Sequence, residues 1–414
     1  MRPESRPAPT GCDKLPVEAH SEGCRKEPAL KQHNTRSRAA KAKKATLKEI
    51  EALSQEEKLT VGIDIGDRFS RYCIVSSTGA TLIEGKLATR REELSVTFKG
   101  FAKTTAMAME AGTHSPWISR YLESLGFDPI VGNPRRLALI SQTKRKNDKV
   151  DAQKLAMLAQ TNARLLYPIQ HRGEQAQADL AAIRGREELV RLRTSLINCA
   201  RGQAKAAGSR LESCDAAAVK AEMADQVPGM FRETVKRMLA TAELVTEQIK
   251  AADQQIHQIA KRYPEIQLVT EIWGVGQLTA LAFMLAIDDK ERFEKSREVG
   301  PYLGIVPGQD QSGQTDHPQR ITKEGDRLVR WLLVQCAHCI LRKDAPDCDL
   351  KRWGLKKLDD QVKAGKKPNK KKVLVAVARK LAVLMHRLWT NGEVYDPLYN
   401  AKQQAALAQR HQVA

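Results

Sequence analysis

At 414 residues the chain is long enough for two or three domains, and a hydrophobic fraction of 42% supplies real cores. A net charge of +20 and a pI near 9.6 point to a polyanionic partner, most simply nucleic acid, and with aromatics at 5% backbone and shape contacts are expected to outweigh base stacking. The eight cysteines, at 12, 24, 73, 199, 214, 336, 339 and 348, show no framework spacing, and no run of 18 apolar residues occurs. Disulfide-stapled, secreted and membrane-spanning classes are set aside, and a cytoplasmic protein is expected.

Residues 1 to about 45 are rich in Pro, Glu, Lys, Ser and Gly without an apolar period, and are expected to be disordered. The basic run Arg36, Arg38, Lys41, Lys43 and Lys44 reads equally as a nucleic-acid arm or a solvated linker. A short charged helix is expected at 46–57, and the tail as a unit is set at 1–58.

From 59 to 165 the pattern is α/β. Strands are expected at 60–66, 70–76 and 80–86, joined by hairpin turns, then a helix at 90–102, a strand at 105–110, a helix at 115–125 and a strand at 128–132. This is the order of an RNase H-like sheet. Asp64 lies inside the apolar run Val61–Gly66, where a carboxylate is costly unless a cation or metal pairs with it. Glu110 ends a second strand of small apolar residues. Asp148 and Asp151, three apart at a helix start, share one helix face. Four carboxylates meeting at one sheet end would suit Mg²⁺ or Mn²⁺, and paired divalent metals cut phosphodiesters.

Residues 170–264 read as a coiled-coil helical region. Helices are expected at 174–206 and 231–263, with the break at Pro228-Gly229. The second carries the seam Val235, Met238, Ala242, Val245, Ile249, Ala252, Ile256, Ile259, Tyr263. The first has Leu189, Leu192, Leu196 and Cys199 at similar spacing. An antiparallel hairpin fits, closed on itself or packed against another subunit.

Residues 265–400 form a mostly helical third unit, followed by a tail at 401–414. Gly274 and Gly276 form a turn opening a helix, where free N–H groups can hold a phosphate. Residues 301–325 read as a long loop, and helices are expected at 326–342 and 372–390. The CxxC at Cys336 and Cys339 falls inside an apolar helix and reads as core rather than zinc. Between 351 and 372 ten Lys/Arg stand against two Asp, Lys366, Lys367, Lys370, Lys371 and Lys372 among them. The stretch would bind phosphates with steep salt dependence, or be a solvated linker. Ser312, with Arg320 and Lys323 downstream, is by itself only a loop serine, since nothing local supplies a Ser-His-Asp order.

Taken together, Gly62–Gly66, Met109–Thr113, the acids of Asn147–Ala152, Trp273–Gly276, Tyr302–Pro307, Gln311–Gly313, Arg320–Gly325 and Ala376–Leu381 form an ordered set. In it the chain resembles the DEDD transposases of bacterial insertion sequences, which join a RuvC-like domain to a serine-bearing transposase domain and are guided by a bridge RNA. The resemblance implies that Asp64, Glu110, Asp148 and Asp151 hold the metal, and that Ser312 attacks DNA to form a covalent link. It also implies DNA partners (element ends and target), a structured non-coding guide RNA, and a composite site in a homo-oligomer, a dimer assembling into a tetramer. Two features depart from the family. The tail is longer, and Gln311 replaces the first of two serines, leaving only Ser312. A RuvC-like nuclease acting on branched DNA would need only the acids. A non-catalytic RNA- or DNA-binding coiled-coil scaffold would need neither acids nor serine.

Overall fold

The computed structural model describes residues 46–137, 148–312, 315–317 and 319–404, with backbone alone for Asp148, Lys149, Thr315 and Asp316. The expected disorder of 1–45, its basic run, Cys12, Cys24, Asn147, Gly313 and residues 405–414 lie outside the described residues.

The segment 46–58, grouped above with the tail, contributes to the first core. Thr46 and Glu49 form a capping box at the start of α1 (Leu47–Leu53), and Ile50 is buried beside the strands. Strands β1 (Thr60–Asp64), β2 (Phe69–Val75) and β3 (Thr81–Ala88) form an antiparallel meander. After α2 (Arg91–Phe98) comes β4 (Ala106–Glu110), and after α3 (Ser115–Ser124) comes β5 (Pro129–Gly132); β4 runs parallel to β1, and β5 parallel to β4. The order β3-β2-β1-β4-β5 is the mixed sheet of the RuvC and RNase H type, as the sequence predicts.

Alternation along the strands sorts the two faces. Val61, Ile63, Ile74, Met107 and Met109 bury one face with Phe98, Phe101 and Leu122. The opposite face carries Gly62, Cys73, Val75 and Ala108, and α4 (Asp148–Asn162) lies on it, packing Ala152, Leu155, Ala156 and Ala159. Gly62 permits this contact: a Cβ there would stand 2.1 Å from the Ala152 carbonyl oxygen and 2.5 Å from the Ala156 nitrogen. Gly62→Val is therefore expected to cost about 3 kcal/mol and to push α4 off the sheet. A thermal melt followed by circular dichroism checks it; an unchanged midpoint would show that the contact tolerates a side chain.

Helices α5 (Glu174–Ala206) and α6 (Gly229–Ala260) form the expected antiparallel hairpin. The seam of α6 is as expected, with Val235, Ala242, Val245, Ile249, Ile256 and Ile259 buried. The stripe of α5 holds only in part, with Leu196 packed against the core and Leu189 half-buried. Its buried side runs through Ile183, Ile197, Ala200 and Ala204, while Leu192 and Cys199 face outward. The reason is polar seam residues: Arg186 pairs with Asp253 at 2.8 Å and Arg193 reaches the Thr246 hydroxyl at 3.4 Å. A hydrophobic period cannot register those positions.

The hairpin base enters the third unit's core. There α7 (Gln277–Ile287) is almost wholly buried, preceding the one-turn α8 (Val299–Tyr302) and enclosed by later helices. Those are α9 (Arg327–Ile340), α10 (Asp349–Lys363) and α11 (Lys370–Asn391). Cys336 is buried with its thiol 3.7 Å from the Thr279 hydroxyl, in keeping with a core cysteine. Asp179 of α5 is buried and accepts from Arg262 and, at 2.7 Å, from the Tyr263 hydroxyl. Burial and Asp179 together push the Tyr263 phenol up to about 12.

A short joint ties the sheet domain to this core. Arg172 Nε donates to the Ala286 carbonyl at 2.8 Å, the Gly173 N–H to Asp288 at 2.8 Å, and Arg292 to the Gln170 carbonyl at 3.2 Å. Arg120 of α3 donates to the Arg172 carbonyl at 3.2 Å. Among the described residues no helix is long and apolar enough to cross a membrane.

Asp326 caps α9, accepting from the Leu328 and Val329 N–H groups at 2.9 and 3.1 Å, and pairs with Arg184 at 2.6 Å. Burial alone would raise its carboxyl pKa, but the Arg184 hydrogen bond and the Val329 N–H outweigh it and hold the carboxyl below its ordinary range. A depressed folded pKa means stability present above the unfolded value and lost as pH falls through the folded one. Asp326→Asn keeps the cap and removes the charge. It is expected to cost about 1–2 kcal/mol at pH 7, Arg184 being half exposed. The cost should shrink as pH falls below the ordinary carboxylate range and vanish below the depressed folded pKa; a cost that is the same in acid as at neutral pH would assign it to packing.

Candidate active site

Asp64 and Glu110 are the last residues of β1 and β4, one step beyond the parallel pair Ile63–Met109. Alternation puts Asp64 on the face of Gly62 and Glu110 on the face of Ala108, so both belong to the side covered by α4. They line a cleft of about 330 Å³ with Ile65, Asp67 and residues 111–114.

The direction of α4 follows from its contacts. Ala152 and Ala156 lie over Gly62, and Gln160 donates to the carbonyl of Ser77, just past the end of β2 that pairs with the start of β1. The helix thus runs from the end of β1 back toward its beginning. Its first turn, which holds Asp148 and Asp151, lies on the side of Asp64 and Glu110. Among the described residues no group of three or more His, Cys, Asp or Glu is close enough to hold a metal ion; the side chain of Asp148 is not among them. Two carboxylates on adjacent strand ends, open to a cleft, fit a hard divalent cation by donor type.

Three further residues belong to this region. Arg71 is the cross-strand partner of Asp64, on the same face as Cys73, which pairs with Gly62. Its signal is the register of the first hairpin rather than any motif. His114 stands at the cleft rim. Trp117 Nε1 donates to its Nδ1 at 3.0 Å, which puts the proton of the neutral ring on Nε2, facing Asp67 at 3.4 Å. Ser115, fully buried, accepts from the Gly112 N–H at 2.9 Å and lies 3.0 Å from His171, bracing the loop after Glu110. Burial, with Arg120 and Arg172 nearby, lowers the His171 pKa.

The loop expected at 301–325 is a narrow double arm. Thr322 and Gly308 donate to the carbonyls of Val306 and Arg320 at 3.0 and 2.9 Å. The arm ends in a small hairpin, β6 (Gln311–Ser312) paired with β7 (Thr315–Asp316), and Ser312 is exposed on it. The arm's feet are fixed tightly. Gly304 and Gly325 have φ of +66° and +74°, and a Cβ on Gly304 would stand 2.1 Å from the Glu324 carbonyl oxygen. Arg330 Nη1 donates to both feet, to Leu303 at 3.1 Å and Glu324 at 2.6 Å. Arg320 and Lys323 are exposed on the returning arm, and Lys323 has a left-handed φ of 57°. Among the described residues the cleft of Asp64 and Glu110 is lined by residues between 64 and 114, and Ser312 is not one of them.

Of the nucleic-acid-binding candidates, Gly276 caps α7 in extended conformation, and a Cβ built on it would meet open space. Gly274, at φ +85°, packs its Cα side on Cys339. The stretch 351–372 is mainly helix α10 and not a linker. Lys366 and Lys367 follow α10, and Lys370, Lys371 and Lys372 are exposed in the first turn of α11. Three cations at a helix N-terminus oppose the helix dipole, a cost that a bound anion would relieve.

Acids at adjacent strand ends of an RNase H-like sheet, ahead of a helical hairpin and a helical domain, define a protein of the RuvC-like class by fold. A family model described as Transposase, for the DEDD transposases of IS110 elements, matches residues 61–206. That described as Transposase IS116/IS110/IS902 family matches residues 266–350. The transposase for insertion sequence element IS1111A of Coxiella burnetii is 27% identical over 352 residues, 83% of this chain and 92% of that protein. A putative transposase of Sinorhizobium fredii is 26% identical over 357 residues, covering 83% and 87%. A probable family 20 transposase of Pseudomonas aeruginosa is 26% identical over 298 residues, covering 70% and 86%. The chain is a homologue of the IS110/IS1111 family transposases and carries their DEDD transposase domain.

Proposed function

We propose that this protein is the recombinase of a bacterial insertion sequence, that it cuts and rejoins DNA through a covalent Ser312–DNA intermediate, and that a structured RNA guides it. The observation that carries the reading is the pairing of two features in one homologous chain. Asp64 and Glu110 end neighbouring strands at an open cleft, and an exposed serine sits at the tip of a firmly footed hairpin.

The chemistry balances without an energy source. Ser312 Oγ bonds to the scissile phosphorus as the bond to one strand's oxygen breaks, and that oxygen leaves as a hydroxyl. Attack by another strand's hydroxyl reverses the exchange and frees the serine. Asp64, Glu110, Asp148 and Asp151 would hold Mg²⁺ or Mn²⁺, which when bound neutralises the scissile phosphate. Arg320 and Lys323 stand on the arm returning from Ser312, and their role is to offset charge on the phosphorane. Replacing both by alanine is expected to slow strand cleavage about 10²–10³-fold with little change in DNA binding. Unchanged cleavage in single-turnover kinetics would remove them from the site.

Because Ser312 is not among the described residues lining the acid cleft, the serine is proposed to come from a second copy. A homo-oligomer, a dimer assembling into a tetramer, is proposed to bring the two together. The same placement favours one rival, a RuvC-like nuclease that uses water. A denaturing gel of end-labelled element DNA with protein, Mg²⁺ and RNA transcribed beside the gene decides between them: a protein–DNA adduct supports recombination, and cleavage without one supports the nuclease. Omitting the RNA tests guidance, since a guided enzyme should lose the reaction.

A further inference from the structure

A second cavity lies apart from the acids and the serine. Helices α10 and α11 and the chain after α11 enclose a groove of about 820 Å³. Five cations line it, Arg352, Lys356, Arg379, Lys380 and Arg387, against two carboxylates, Asp349 and Asp396. Arg352 is held by Asp347 and Arg387 by Glu393 at 3.0 Å. Among the described residues no carboxylate lies within ion-pair distance of Lys356, Arg379 or Lys380. Three cations from two helices thus face one groove whose own acids do not neutralise them.

Aromatic rings alternate with these cations. Lys380 Nζ stands 4.8 Å from the centre of the Trp353 ring, and Arg387 5.1 Å from that of Tyr399. Tyr399 is 42% exposed, so part of its ring is open to a ligand. Cations beside π faces are what single-stranded nucleic acids bind, phosphate to charge and base to ring. A groove of this volume holds roughly one or two nucleotides.

We propose that this groove binds an unpaired nucleotide of a nucleic-acid strand, with phosphate on Lys356, Arg379 and Lys380 and the base on Tyr399. The inference rests on the recombinase reading only in taking nucleic acid as the polyanion. It gives a use to the Ala376–Leu381 motif, which the acid and serine sites leave unexplained, since Arg379 and Lys380 fall inside it. Arg379 also packs against Gly300 at the start of α8, the turn that leads into the serine arm.

The test uses full-length protein carrying Ser312→Ala, so that binding is read without chemistry. Fluorescence anisotropy is measured with 12-nucleotide single-stranded DNA, the same sequence as RNA, the DNA duplex, and a glutamate-rich peptide, at several salt concentrations. The variants are Lys356→Glu with Lys380→Glu, Tyr399→Ala and Tyr399→Phe, each checked by its melt. The charge variant and Tyr399→Ala should each weaken single-strand binding about ten-fold or more, with duplex binding within about two-fold of wild type. Tyr399→Phe should bind as wild type. In the charge variant, losing that one phosphate contact should flatten the log–log salt slope by about 0.7. The DNA and RNA arms identify the strand's source. Unchanged single-strand binding overturns the proposal, as does equal loss on the duplex or equal affinity for the peptide. Because the serine is absent throughout, failure here leaves the Ser312 adduct untouched, and loss of the adduct leaves this groove untouched.

Discussion

Ser312→Ala is expected to abolish the covalent protein–DNA adduct and to lower strand exchange to less than about one-thousandth of wild type. The substitution removes one oxygen from an exposed residue at a hairpin tip, so neither the melt nor DNA binding should change. The β6–β7 pairing uses backbone groups only, and the feet at Gly304, Gly325 and Arg330 are remote from the hydroxyl. Loss of the adduct with retained binding therefore isolates the nucleophile. Since Gln311 occupies the neighbouring position, no second serine can take over at that site. If cleavage continues at the wild-type rate and no adduct was present before the change, water is the nucleophile and the nuclease reading replaces this one.

The second large effect is expected at the acids. Asp64→Asn and Glu110→Gln should each cut strand cleavage about 10³-fold or more at saturating Mg²⁺. The amides keep the size of the side chains but lose the charge that a divalent cation needs. Both residues border an open cleft, so folding should survive. Asp64→Asn also removes the carboxylate opposite Arg71, and comparing its melt with that of Arg71→Ala separates that pairing from catalysis. The informative combination mixes a Ser312→Ala copy with an Asp64→Asn copy. Recovery of the adduct in the mixture, absent from either alone, would show acids and serine acting from different copies. A scaffold protein would show none of these effects, because its biology needs neither group.

The sheet was legible because its signals are local. Asp64 and Glu110 each end a short apolar run, and turns with glycine or serine separate the first three strands. Parallel pairing of β1 with β4 depends on contacts distant in sequence, yet period two then decides that both acids share the α4 face. Arg71 escaped notice because only the register of two strands brings it opposite Asp64. The stripe of α5 was misread in part, for a different reason. Its seam includes Arg186, which pairs with Asp253 on α6, and Arg193, whose Nη1 reaches Thr246, whereas Leu192 looks like core and is exposed. The arm around Ser312 read as loop because its two-residue strands carry no period at all. The basic stretch 351–372 hid helix α10, whose apolar side is thin and whose lysines suggest solvent.

The joint at residues 170–173 has a consequence for dosage. Hydrogen bonds from Arg172, Gly173 and Arg292 clamp the sheet to the helical core, so the two are not joined by a loose hinge. On the proposed chemistry a lone polypeptide is then half an enzyme, and the rate at low abundance rises with at least the square of its concentration. A cell that makes few copies would leave the element silent, while modest overproduction would mobilise it steeply. The clamp would make scarcity itself the brake on genome damage, with no separate inhibitor required.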